Sequence, residues 1–151
     1  MPSIDDITNA NLVALDLQAR DNYGAIEELA ELLDRDGRLS DKDAYVQAAR
    51  AREDETGGTA MEMGIAIPHA KSSGVKEPAV AFGRTPEPIR YGDEEADLIF
   101  LIAAPEGENN LHVKILSRLA RKLVHEDFRA SLREAESSEE VMDLLRREVQ
   151  L

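Results

Sequence analysis

Apolar positions recur along this chain in two rhythms. Ile26, Leu29, Ala30, Leu32 and Leu33 fall at helical spacing, with Asp21 or Asn22 placed to cap the first turn and Gly37 to end the last. Ser40, followed three residues later by Asp43, predicts a second helix start, and Ala44, Tyr45, Ala48 and Ala49 carry that helix to about Arg52. Thr56-Gly57-Gly58-Thr59 breaks it. Further on, Leu111, Ile115, Leu116, Leu119, Leu123 and Val124 mark an amphipathic helix that Asn109 or Asn110 would cap. Phe128 and Leu132 predict a short helix, and Ser137 or Ser138 opens a last one through Val141, Met142, Leu144 and Leu145.

The second rhythm is that of strands. Leu12 to Leu17 reads as a first strand, Ala79 to Gly83 as another, and Ile89-Arg90-Tyr91 as a short returning one after a turn or edge at Pro86 and Pro88. Ala96 to Ala103 is apolar at almost every position, as expected of a strand covered on both faces. Gly64-Ile65-Ala66-Ile67-Pro68-His69-Ala70 has the same character and is expected to stop where Pro68 can no longer donate to a ladder. His69 is thereby expected at a strand end, with Lys71-Ser72-Ser73-Gly74 as loop. Strands alternating with helices, and antiparallel candidates near residues 78–104, predict an α/β single-domain sandwich. Its mixed parallel and antiparallel sheet would be flanked by helices. We expect one domain over residues 1–151, with a core from about 12 to 145.

Composition narrows the functions open to such a chain. It has 151 residues, 31 acidic against 18 basic, and a net charge of −13. Nucleic-acid binding is disfavoured, because phosphate backbones are held by basic patches. The acids are spread over helical segments, arginine outnumbers lysine, and the surface resembles that of proteins from high-salt cytoplasm. With no apolar run long enough to span a bilayer and no secretory leader, neither membrane insertion nor export is expected, and the cytoplasm is the simplest location. Cysteine is absent, which removes disulfides and thiolate chemistry. The three histidines lack metal-ligand spacing, so no metal and no cofactor is expected.

Two of those histidines occupy comparable places. His69 follows one buried strand, and His112 falls in the first turn of the helix after another. Sites in α/β folds gather at strand ends and helix N-termini, where free N–H groups suit an anion such as phosphate. Arg52 precedes the central strand and can reach the same edge as a charge-assisted donor. A nucleophile, a second imidazole and an anion clamp are the parts that phosphoryl transfer to a histidine requires. An imidazole near its usual pKa of about 6.5 is mostly neutral, and so nucleophilic, at physiological pH. The plainer readings are a histidine in a turn, a helix-end arginine and a first-turn polar residue. His125, near the end of its helix, is read as structural.

Gly64 to Ala70, with Arg52-Glu53 upstream and Leu111-His112-Val113-Lys114-Ile115-Leu116 downstream, resembles the enzyme IIA domain of the fructose–mannitol class of the sugar phosphotransferase system. The resemblance runs from about Leu12 to Leu145. It implies that His69 is phosphorylated, with His112 as the second active-site histidine and Arg52 as the active-site arginine. It further implies HPr as phosphoryl donor and a cysteine of enzyme IIB as acceptor, in the uptake and phosphorylation of a sugar, here expected to be fructose. With no cysteine of its own, this chain would need that acceptor on another polypeptide. A regulatory module of the nitrogen-branch type is the alternative, and a non-catalytic acidic interaction domain a third reading. The sequence departs from the family pattern twice. Glu62 stands where a small residue is usual, and the Arg52-to-His69 spacing is about one residue long, which keeps Arg50 as a fallback for the arginine role.

Overall fold

Ile65 and Ala66 pair with Leu98 and Ile99, and His69 then pairs with Ile102 in the same parallel register. In the computed structural model, which describes residues 3–56, 58–107 and 110–151, the expected central strand is therefore one interrupted strand. Its parts, β3 (Ile65–Ala66) and β4 (His69–Ser72), run along the same edge of β6 (Glu94–Pro105). Pro68 causes the gap, since it has no N–H to give. Its carbonyl still accepts from the Ile102 N–H at 2.9 Å, which keeps the two parts in line. The expected strand end at His69 is thus corrected: His69 opens β4, and Lys71 and Ser72 belong to that strand rather than to a loop.

On the other side of β6 lies β5 (Ala79–Tyr91), antiparallel to it, and beyond that β1 (Val13–Ala14), parallel to β5. Next to β3 lies β2 (Ala60–Met61), antiparallel. Among the described residues the sheet has six strands and is mixed, as expected. Two strand expectations change in detail. The first strand is only two residues long, because Leu12 closes a short 3₁₀ turn and Leu17 turns its N–H to the Arg84 carbonyl. Pro86 and Pro88 do not split two strands. They sit in a register shift between Arg84 and Ile89 inside β5, where ladder N–H groups are not needed.

Both faces of the sheet are covered. Along β6, Ile99, Leu101 and Ala103 face α2 (Asn22–Arg35) and α3 (Lys42–Thr56). The alternate residues Leu98, Phe100 and Ile102 face α4 (Leu111–Leu123), α5 (Glu126–Glu134) and α6 (Ser138–Glu148). Ile4 and Ile7 of α1 (Ile4–Ile7), and Val149 after α6, are buried in that second layer, so the core reaches past the expected limits of 12 and 145. Asp21 caps α2 and Ser137 caps α6 through side-chain oxygens. Gly37 takes a positive φ of 77° just past α2. At the start of α3 the cap is Asp41 rather than Ser40, its Oδ1 accepting from the Ala44 N–H at 3.1 Å. That helix also runs on to Thr56, past the expected end at Arg52. The extension is held by Thr56 Oγ1 donating to the Arg52 carbonyl and by Glu53 turning into the protein. Among the described residues no helix is long and apolar enough to cross a membrane.

Candidate active site

His69 is placed by the interruption in its own strand. The Ile67 carbonyl, on an amide whose nitrogen is Pro68, lies 2.9 Å from His69 Nδ1. A carbonyl only accepts, so Nδ1 carries the proton and Nε2 keeps the lone pair. The imidazole is half-buried, while Ile67 and Pro68 behind it are buried. A rigid scaffold therefore holds one ring nitrogen and leaves the lone pair of the neutral ring on the opposite one.

Three side chains singled out from the sequence line one pocket of about 390 Å³: His69, His112 and Arg52, with Ala48, Ala51, Glu55, Ala70 and Lys71. Arg52 comes from the last turns of α3, which packs along β4. His112 comes from the first turn of α4, after Asn110 at the N-cap. Asn109, the other expected cap, lies outside the described residues. Arg52 touches Glu55 at 3.8 Å, with both side chains more than half exposed. Such a contact is worth under about 1 kcal/mol and is readily exchanged for a phosphoryl oxygen.

Arg50, the fallback for the arginine role, points elsewhere. Its guanidinium stacks over the Tyr23 ring, 5.2 Å from the centroid, on the side of α2. His125 lies at the N-cap of α5, exposed, and lines a separate surface pocket with Lys122 and Arg147. Glu62, the departure from the family pattern, is exposed in a 3₁₀ turn, where its side chain reaches solvent without crowding the strand. Among the described residues no cluster of three or more histidines and carboxylates is arranged to hold a metal.

Two residues to which the sequence assigns no role bear on the site, Lys71 in the pocket and Glu53 behind it. Lys71 lies two residues beyond His69 on β4, and so on the same side of the strand. Period-two alternation would have found it, had the strand been continued past Pro68. Glu53, next to Arg52, is buried and binds Thr59 through both carboxylate oxygens. The nearby Tyr91 hydroxyl is held protonated, above all by burial and secondly by the Glu53 charge.

A mixed sheet covered on both faces, with two imidazoles and a guanidinium gathered around one pocket, describes an α/β phosphotransferase component. The chain belongs to the family "Phosphoenolpyruvate-dependent sugar phosphotransferase system, EIIA 2", whose sequence model matches residues 6–148. It is 42% identical over 145 residues to a fructose-specific EIIA component of Haloferax volcanii, covering 94% of each chain. It is 38% identical over 145 residues to a fructose-specific EIIABC component of Bacillus subtilis, of which it spans 23%, the match taking in 94% of this chain. Among solved structures it resembles nitrogen regulatory protein IIA-Ntr of Neisseria meningitidis, with a TM-score of 0.84 and 34% identity over 94% of this chain and 98% of that one. It also resembles the mannitol enzyme IIA of Escherichia coli in complex with phosphorylated mannitol enzyme IIB. There the TM-score is 0.78 at 29% identity, over 91% of this chain and 96% of that one.

Proposed function

We propose that this chain is a cytoplasmic phosphocarrier in which Nε2 of His69 takes a phosphoryl group from HPr and passes it to enzyme IIB, for uptake of fructose. The observation that carries the reading is the tether of His69 Nδ1 to the Ile67 carbonyl, beside Arg52 and His112 in one pocket. In the first half-reaction the Nε2 lone pair attacks phosphorus as the P–N bond to the donor histidine breaks, and the donor imidazole recovers its electron pair. In the second, a thiolate of enzyme IIB attacks, a P–S bond forms, and Nε2 regains its lone pair. Charge in such a transition state is spread over the phosphoryl oxygens, so positioned donors supply most of the catalysis. Arg52 supplies a cationic donor and His112 a ring N–H. Donor and acceptor are drawn from the family, and the acceptor is supported by the mannitol complex. Fructose is supported by the names of the Haloferax and Bacillus relatives.

Incubation with phosphoenolpyruvate, enzyme I and HPr, followed by mass spectrometry under alkaline conditions, tests the reading. One acid-labile phosphate on the His69 peptide is expected; none, with active HPr, refutes it. The likeness to IIA-Ntr favours a second reading, in which phosphorylation controls partner binding and no sugar is moved. Transfer from the phosphorylated chain to a fructose enzyme IIB supports transport, and phosphate that no enzyme IIB removes supports regulation. We read the −13 surface as a solubility device for concentrated salt. At molar salt the screening length is about 3 Å, so its self-repulsion is largely removed. Unfolding followed from low to molar KCl should show stability rising, and a flat profile counts against this.

A further inference from the structure

We infer that Glu53 is a positioning residue for His69, acting through a ladder of hydrogen bonds that ends on the imidazole; the inference rests on the phosphocarrier reading for its rate but not for its geometry. Glu53 is only 2% exposed, in a chain whose other carboxylates are mostly in solvent. A buried carboxylate is costly unless its oxygens are bonded. Here both are given to one residue: Oε2 accepts the Thr59 N–H at 2.8 Å and Oε1 accepts the Thr59 hydroxyl at 2.6 Å. The Glu53 carbonyl also accepts the Gly58 N–H at 2.9 Å. Thr59 then accepts the Ile67 N–H on its own carbonyl at 3.2 Å, and the Ile67 carbonyl accepts His69 Nδ1–H at 2.9 Å.

Successive bonds in this ladder use different peptide groups, so position is passed along it rather than charge. Glu53 fixes Thr59, Thr59 fixes Ile67, and Ile67 fixes both the ring plane and the tautomer of His69. The same carboxylate hangs from α3 directly after Arg52. One brace therefore sets the distance between the helix carrying the guanidinium and the strand carrying the nucleophile. If Ile67 drifts, the proton redistributes between the two ring nitrogens, and the fraction protonated at Nε2 cannot attack phosphorus.

The test is nitrogen-15 NMR of the histidines, read together with the rate of phosphoryl uptake from phospho-HPr and the melting temperature. Glu53→Ala should admit the Nε2–H tautomer of His69 and slow uptake by about tenfold or more, the scale expected when a reacting group is misplaced. Glu53→Gln should restore both, because its amide oxygen can accept the Thr59 N–H while its NH₂ donates to Thr59 Oγ1. Arg84→Ala, which loses bonds to the carbonyls of Leu15, Leu132, Arg133 and Ala135, serves as a destabilised control. It should melt earlier with the His69 tautomer unchanged. Should Glu53→Ala not fold, Thr59→Ala removes the hydroxyl bond alone and should give a smaller tautomer shift in the same direction. A single Nδ1–H tautomer in whichever of these two variants folds overturns the inference. A wild-type chain that takes up no phosphate overturns the phosphocarrier reading instead, while the tautomer measurement still decides the role of Glu53.

Discussion

His69 is bonded through Nδ1 to the carbonyl of Ile67, two residues back across Pro68, at 2.9 Å. Pro68 closes this small loop, and the tether leaves a single nitrogen for chemistry. The phosphoryl group is therefore expected on Nε2. Phosphorus–nitrogen NMR of the labelled protein should show an Nε2-phosphohistidine, and His69→Ala should fold and take up nothing. Label on Nδ1, or label retained in the variant on His112 or His125, would falsify the assignment.

Arg52 lines the pocket and Arg50 stacks on Tyr23, so the two should separate cleanly in kinetics. Removing one charge-assisted donor to a transition state costs on the order of 2–4 kcal/mol. Arg52→Ala should slow uptake by at least about tenfold with little change in melting. Arg50→Ala should keep the rate and lose about 0.5–1 kcal/mol of stability with its ring contact. The reverse pattern would move the arginine role to Arg50.

His112 sits where the first turn of α4 meets the pocket. We expect it to bind the transferred group rather than to accept it. His112→Gln keeps an N–H donor and should be milder than His112→Ala. In the Ala variant His69 should still be phosphorylated, with slower transfer onward to enzyme IIB. Equal rates for wild type, Gln and Ala in both half-reactions would make His112 a bystander.

Gly64 stands at φ +80° directly before β3, where side chains are strained. A Cβ there would lie 2.6 Å from Asp97 Oδ1 and 2.7 Å from the Arg133 guanidinium. Those two groups form a bidentate pair at 2.8 and 2.9 Å, and Arg133 also holds the Met63 carbonyl at 2.8 Å. Gly64→Ala should therefore cost about 1–3 kcal/mol in denaturant unfolding. A variant as stable as the parent would show that the turn can relax.

Alkaline stability should depend on the buried tyrosines. Burial holds the Tyr45 hydroxyl well above its usual range, and burial followed by the Glu53 carboxylate does the same for Tyr91. Both folded values are raised, so the unfolded chain releases these protons first. Their contribution is complete below the unfolded value of about 10 and is lost as pH rises above it, at about 1.4 kcal/mol per pH unit for each group. Tyr45→Phe should flatten that loss. It should also cost about 1 kcal/mol at neutral pH, through the missing 2.7 Å bond to the Ile102 carbonyl. An unchanged alkaline slope in the variant would exclude Tyr45 as a source.

What the sequence determined by itself is what depends on neighbours in the chain. The helical spacing of Ile26, Leu29 and Leu33, the cap candidates at Asp21 or Asn22 and at Ser137 or Ser138, and the doubly apolar run into Ala103 are local patterns, and they sufficed for a covered mixed sheet. His69, His112 and Arg52, which line one pocket, stand out as candidates because each lies near a break in such a pattern: a proline, a helix start, a glycine turn. Contacts between distant segments settled the rest. Arg52 and Arg50 lie two residues apart on one helix, and only the packing of α3 against β4 on one side and α2 on the other sends one to the pocket and one to Tyr23. Continuation of the strand through Pro68 depended on β6 offering Ile102 to both sides of the gap. Lys71 joined the pocket for that reason. Glu53 stands beside Arg52 in the motif that carries the resemblance, but no local pattern marks it as buried, because its burial is set by where Thr59 returns to meet it.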